Sequence, residues 1–227
     1  MARPRAVLTD IEGTTTRIAY VRDVLFPYAR ARLPVFVHEH AGRPDVAALL
    51  DSVVRAAPDQ PPLQTLLAWM DADAKVTALK TLQGLIWLGG YQAGELHGEL
   101  YPDVAPALRR WHADALRLEV YSSGSVAAQR LLFAHSQDGD LARLFAGFHD
   151  TAIGPKRDPA SYAAIAAGTD IAAADWLFLS DVAAELDAAR ATGMATCQLL
   201  RPEDGANPSP RHPGARDFDA VERFWQP

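Results

Sequence analysis

The sequence is poor in cysteine, in basic charge and in long apolar runs. Cys197 is the one cysteine among 227 residues, so no internal disulfide can form, and a reducing compartment is expected. Although 49% of the residues are hydrophobic, no run approaches the roughly 18 apolar residues that a membrane-spanning helix needs. The opening segment MARPRAVLTD carries arginines but no apolar core before Asp10, so a secretory signal is not expected and the expected location is the cytoplasm. Lys and Arg number 22 against 28 Asp and Glu, a formal net charge of −6. That balance speaks against nucleic-acid and membrane partners. Repeats and low-complexity tracts are absent as well. What remains is enough chain for one or two domains with a sizeable core.

Two kinds of pattern divide the chain. Ala6-Val7-Leu8-Thr9 reads as a short buried strand that stops at Asp10, before Gly13 and three threonines. From Tyr20 to about Ala115 the apolar residues recur at helical spacing, over 20–40, 44–57, 62–73 and 75–93. Pro44 opens one of these segments, where proline is tolerated, and 57–62 is a loop. A further helix runs to about Ala113 with Asp103 as a possible N-cap. Strand and helix then alternate: strand Leu116–Tyr121, helix 125–136, strand Trp176–Ser180, helix 182–192 and strand Met194–Leu200. The tail from Arg201 to Arg216 reads as an irregular loop. Such alternation predicts a parallel sheet covered by helices on both faces. The expected organisation is an α/β core built from 1–17 and 103–227, with a helical domain, 18–102, inserted after the first strand.

Four polar clusters fall at the expected carboxyl ends of strands or in the loops beside them: Asp10–Thr15, Ser122–Ser125, Gly154–Lys156 and Ser180-Asp181. Ligands of open α/β sheets bind at that edge, so the clusters are expected to converge on one crevice. Acids in oxygen-rich surroundings suit Mg²⁺, which takes few protein carboxylates and completes its shell with water and phosphate. A lysine and hydroxyl groups suit a phosphoryl group.

The motif D-I-E-G-T-T at 10–15 resembles the first motif of the haloacid dehalogenase superfamily, normally D-x-D-G-T, and Ser122, Lys156 and Asp181 follow in the order of its other motifs. The glutamate at the third motif position is unusual there. Together with L-Q-G-L-I-W (82–87), Y-P-D-V-A-P-A-L (101–108), V-Y-S-S-G-S-V-A-A-Q (120–129) and L-S-D-V-A-A-E-L-D-A-A (179–189), the chain resembles the enolase-phosphatase (acireductone synthase) family of methionine salvage over nearly its whole length. The resemblance implies a haloacid dehalogenase-like parallel-sheet core with an inserted all-helical cap domain. It implies a bifunctional, Mg²⁺-dependent phosphoric monoester hydrolase with one Mg²⁺ per subunit, acting as a monomer on a small phosphorylated diketone. The helical insert would serve as a lid over the thioether tail.

Roles follow from the resemblance and from chemistry together. Asp10 is the candidate nucleophile and a metal ligand, although an aspartate closing a strand is also a common turn former. Glu12 is the candidate general acid and base, is counted with the metal set, and is one candidate for taking the carbon-bound proton. Members of the superfamily commonly ligate Mg²⁺ through the backbone carbonyl at this position. Ser122 and Ser123 are candidate phosphate-binding residues, with Ser125 a candidate helix cap. Lys156 is expected to neutralise both the nucleophile and the phosphoryl oxygens, although local evidence alone would make it a surface lysine. Asp181 is the expected second metal ligand, and Glu185, four residues on, could hold a metal-bound water. Asp187 falls on another helical face and is expected at the surface.

Other residues invite plainer readings. Cys197 is expected to be an inert buried thiol, and His38 and His40 point to different helix faces. Trp69, Trp87 and Trp111 are expected in helix interfaces, with Trp87 and Tyr91 also able to face substrate. The competing assignment is another small-molecule phosphatase or a phosphomutase of the same superfamily. A metal-binding domain without activity is the non-enzymatic alternative.

Overall fold

The computed structural model describes residues 2–225. In chain order, β1 (Ala6–Thr9) is followed by the single turn α1 (Ile18–Tyr20) and a π-helical turn, Val21–Leu25. Helices α2 (Phe26–His40), α3 (Pro44–Ala56), α4 (Pro62–Asp71), α5 (Thr77–Gln92) and α6 (Val104–Ala113) come next. Then follow β2 (Arg117–Tyr121), α7 (Val126–Ala134), β3 (Gly147–His149), α8 (Pro159–Ala167), β4 (Trp176–Ser180) and α9 (Ala183–Ala191). The chain ends with β5 (Ala195–Leu199), β6 (Gly214–Ala215) and α10 (Phe218–Glu222). Packing separates it into two compact units, one holding the residues up to Tyr20 and from His97 onward, the other Val21–Leu96.

The first unit is built on a six-stranded sheet of order β3-β2-β1-β4-β5-β6, every neighbouring pair parallel. All residues of β1 and β4 are buried, as expected for central strands covered on both faces. Leu8, Tyr121, Tyr162, Ile165, Trp176, Phe178 and Leu186 form one core cluster. The register sets Thr9 opposite Val120 on one side and Leu179 on the other. Asp10 therefore leaves the sheet level with Tyr121 and Ser180, beside the point where strand order reverses, the place where α/β sheets bind ligands.

In the second unit α5 packs against α2, α3 and α4, burying Leu79, Leu82, Ile86, Trp87 and Tyr91 along its length. Trp87 Nε1 donates to the carbonyl of Leu25 at 2.8 Å, so this tryptophan serves packing inside the helical unit. A Cβ on Gly90 would meet the Tyr28 hydroxyl at 2.5 Å, which explains a glycine where α5 lies against α2.

Several local expectations need correction. The segment 20–40 is not one helix. Its first residues form the π-helical turn, just before Pro27, whose missing N–H cannot serve the carbonyl of Asp23. Asp103 does not cap α6. It makes no cap hydrogen bond, and its carboxylate accepts instead from Arg201 Nη1 at 2.8 Å and from the Phe218 N–H at 2.7 Å. The elements β3, α8, β6 and α10 were not anticipated. β3 and β6 are too short to show alternation, and α8, PASYAAIAA, is alanine-rich with little contrast between faces. Its start was legible: Asp158 caps the Ala160 N–H at 2.9 Å and Pro159 opens the helix.

Gly98 is wedged against α7, its N–H donating to the His135 carbonyl at 2.8 Å. A Cβ there would lie 2.0 Å from the Leu132 carbonyl oxygen. Gly98→Ala is expected to lower stability by about 1–3 kcal/mol, as overpacking against backbone does. The check is a lower urea midpoint at unchanged slope; an unchanged midpoint would show that the contact relaxes freely.

Candidate functional site

The site starts from the turn that follows β1. The N–H groups of Thr14, Thr15 and Thr16 all point to the Ile11 carbonyl, at 2.8–3.1 Å, and wind residues 11–16 into a tight loop. Gly13 has φ of +69°, and a Cβ on it would lie 2.6 Å from Asp181 Oδ2, so both its backbone and its neighbour require glycine. Asp10 is 4% exposed, and the Ile11 N–H donates to its Oδ1 at 2.7 Å.

Lys156 reaches this carboxylate from the loop between β3 and α8. Its Nζ lies 2.7 Å from Asp10 Oδ1 and 2.6 Å from Glu185 Oε2. The loop is braced by three hydroxyls: Tyr121 donates to the Gly154 carbonyl at 2.8 Å, Ser161 to Pro155 at 2.9 Å and Tyr162 to Lys156 at 2.7 Å. Burial works against the ammonium, but Asp10 and Glu185 more than offset it and raise the Lys156 pKa. The sequence left Glu185 as a possible partner of metal-bound water. Its Oε2 faces Lys156 and lies 3.1 Å from Ser180 Oγ. Burial, reinforced by Asp10, pushes the Glu185 carboxyl up to about 7 against the pull of Lys156.

Asp181 follows β4 on the other side of Gly13. Its carboxyl is likewise pushed up to about 7, first by burial and then by Asp10. Its Oδ1 is buried without a hydrogen-bond partner, a costly state for a carboxylate oxygen. Asp10 and Glu185 share a single ammonium, and a cation beside Asp181 would satisfy its orphaned oxygen and offset the excess of negative charge. Among the described residues, no group of three or more His, Cys, Asp or Glu is spaced to hold a metal unaided. The donor set therefore fits a hard cation that shares its shell with backbone oxygen, water and substrate.

Ser122 emerges from β2 at the same edge, 3% exposed. Its N–H donates to the His149 carbonyl at 3.1 Å and its Oγ accepts from the Gly124 N–H at 3.3 Å. Ser123 is exposed, and Glu12 is half-buried in the turn after Asp10. Ser125 caps α7, accepting from the Ala128 N–H at 3.3 Å. Gln129 and Asp150 were missed. Gln129 Nε2 ties the Gly124 carbonyl to that of His149, at 2.7 and 2.8 Å, and Asp150 Oδ2 accepts from the Val126 N–H at 3.1 Å. Nothing in local spacing marks them, because their work depends on β3. Asp187 lies at the surface against Arg211, His212 and Arg190. Cys197 is buried on β5, its thiol pushed up to about 12 by burial.

No protein-family model matches this chain. Enolase-phosphatase E1 of Gluconacetobacter diazotrophicus is 56% identical over 218 residues, covering 96% of this chain and 93% of the relative. Among solved structures, the UTR4 protein of Saccharomyces cerevisiae superposes with a TM-score of 0.83 at 32% identity, covering 96% of this chain and 99% of its own. A 2-haloacid dehalogenase of Pseudomonas syringae pv. Tomato superposes with a TM-score of 0.61 at 18% identity, over 99% of this chain and 100% of its own. That last likeness concerns the fold alone, and the fold is haloacid dehalogenase-like. The resemblance first carried by D-I-E-G-T-T and Y-S-S-G-S extends through the whole sequence, and the chain belongs to the enolase-phosphatase E1 family.

Proposed function

We propose that the protein is a Mg²⁺-dependent enolase-phosphatase of methionine salvage, binding one Mg²⁺ per subunit. It converts 2,3-diketo-5-methylthiopentyl 1-phosphate into the acireductone 1,2-dihydroxy-3-keto-5-methylthiopentene and inorganic phosphate. The observation that carries this reading is the buried Asp10 carboxylate, gripped by Lys156 at 2.7 Å and flanked across Gly13 by the unpartnered oxygen of Asp181. Family membership supplies the substrate.

Asp10 acts as the nucleophile. Its Oδ1 is engaged by Lys156 and the Ile11 N–H, whereas Oδ2 has only a long approach, 3.5 Å, from Ser180 Oγ. Oδ2 is thus the oxygen freer to attack phosphorus in line, forming an aspartyl-phosphate as the bond to the leaving oxygen breaks. Glu12 protonates that oxygen, then takes a proton from the water that hydrolyses the acyl phosphate and regenerates Asp10. Lys156 is held charged by Asp10 and Glu185 before attack, and offsets the charge of the phosphoryl oxygens once Asp10 is esterified. Ser122 and Ser123 present hydroxyl and N–H donors to the phosphate at the carboxyl end of β2. Asp10 and Asp181, with the backbone or side chain of Glu12, would hold Mg²⁺. When bound, the ion supplies Lewis-acid stabilisation of enolate and phosphoryl charge.

Enol absorbance and phosphate release, followed together with the diketone phosphate and Mg²⁺, test the assignment. Both signals are expected; neither at high enzyme concentration would sink it, and phosphate without an enol phase would favour a plain phosphatase. Asp10→Asn is expected to lower phosphate release by roughly three orders of magnitude or more, as loss of a nucleophile does. Release at the wild-type rate would remove Asp10 from that role.

The same site predicts a pH dependence without metal. The folded carboxyls of Asp181 and Glu185 titrate near 7, against ordinary values of 3.8 and 4.5. In between, the folded protein binds more protons than the unfolded chain, so stability falls as pH rises from about 5 to about 8. The Tm of cation-free protein should fall over this range, recover when Mg²⁺ is added at the upper end, and fall less in Asp181→Asn. A Tm independent of pH in cation-free protein would contradict the raised carboxyls of these two acids.

A further inference from the structure

Asp181 cannot be oriented by hydrogen bonds to its own carboxylate Oδ1, which has none. Its peptide group, in contrast, is fixed at both ends by side chains. The Asp181 N–H donates to Thr14 Oγ1 at 3.1 Å, and the Asp181 carbonyl accepts from Gln198 Nε2 at 2.8 Å. Gln198 lies on β5 and is 2% exposed. Its second N–H is given to the Asn207 carbonyl at 3.0 Å, and its Oε1 accepts from the Ser209 N–H at 2.8 Å. With both ends of the amide committed, the group cannot flip without losing all three contacts.

Thr14 is fixed in turn. Arg201, just beyond β5 and 3% exposed, places Nε and Nη2 on the Thr14 carbonyl at 3.1 and 2.7 Å. Its Nη1 meets Asp103 Oδ1 at 2.8 Å, and its guanidinium lies 4.0 Å over the Tyr101 ring. A buried guanidinium held by a carboxylate, an aromatic face and a carbonyl has no spare freedom. β5 and the residues after it therefore grip both sides of the Gly13–Asp181 approach without carrying a group of the reaction.

We propose that Gln198 and Arg201 are positioning residues for the cation site: they hold the Asp181 peptide and the Thr14 turn so that the Asp181 carboxylate faces the metal position. This rests on the reading of Asp181 as a Mg²⁺ ligand. It predicts that these residues set metal affinity more than substrate affinity, because neither lies among the Ser122 and Lys156 groups assigned to the phosphate.

The test is calorimetric titration of full-length protein with Mg²⁺ alone, on variants whose near-ultraviolet circular dichroism matches the wild type. Gln198→Met removes all three amide contacts at similar volume, and Arg201→Lys keeps charge for Asp103 but loses the paired donors to Thr14. Each is expected to weaken Mg²⁺ binding by about tenfold, the lower end for partners that orient metal ligands. Thr14→Val should do the same and Thr14→Ser should restore binding. Under turnover, the Mg²⁺ concentration for half-maximal rate should rise while KM at saturating Mg²⁺ stays within about twofold of wild type. Thr196→Val serves as the control for general destabilisation. It removes the buried contact of Thr196 with His212, 2.9 Å, from the same strand, and should leave Mg²⁺ affinity unchanged. Variants that bind Mg²⁺ within twofold of wild type, or a Thr196→Val loss as large as theirs, would overturn the positioning role alone. Wild-type protein that takes up no Mg²⁺ would overturn the metal reading and this proposal with it.

Discussion

A buried ammonium held against two buried carboxylates governs this protein's site. Lys156 reaches both Asp10 and Glu185, and each of the three would be costly to bury alone. Such a cluster adds little to net stability, because desolvation consumes most of the attraction, yet removal of one partner leaves an uncompensated charge. It therefore acts as a specification. The tyrosine and serine hydroxyls that brace 154–156, the cap that starts α8, and the register that sets Asp10 level with Ser180 all serve to make the three groups meet. Ser180 joins them through a hydroxyl that lies closer to Glu185 than to Asp10.

The net charge of −6 sits oddly with a phosphorylated substrate until the acids are located. Asp10 and Glu185 are buried against one lysine and hold it charged, while half-buried Asp181 offers a cation an unsatisfied oxygen. Positive potential is thus required only at the point where phosphate would bind. Many of the surface acids are paired with arginines, as Asp71 is with Arg30 and Asp187 with Arg211. A net charge of −6 with its surface acids paired in this way suits local recognition better than diffusional steering of an anion.

The central strands and the helical segment were legible because each carries a strong periodic signal of its own. Asp10 and Asp181 stood out because each follows a strand end, and Lys156 because of its place in the order of motifs. Lys156 alone shows the limit: its neighbourhood reads as an exposed loop, and only the packing of Tyr121 and Tyr162 turns it inward. Glu185 is legible as an acid one turn after Asp181 but not as the counterion of Lys156, since that pairing depends on how α8 and α9 pack. Asp103 looked like a cap and proved a partner of Arg201, a residue that reads as the start of an irregular tail. Gln198 carries no marker at all, for a glutamine in a buried strand becomes informative only when the atoms opposite its amide are known.

The order of strands in space differs sharply from their order in the chain. β1 lies at the centre of the sheet, and its first neighbour, β2, begins more than a hundred residues later; the strand on its other side, β4, comes later still. A nascent chain consequently exposes Val7 and Leu8 as an unpaired apolar strand through most of its synthesis. The sheet cannot be completed until β5 and β6 have been made, and non-local parallel pairings of this kind form slowly in general. A product cut short before β4 then carries Asp10 but neither Asp181 nor Glu185, the two acids that complete its cluster.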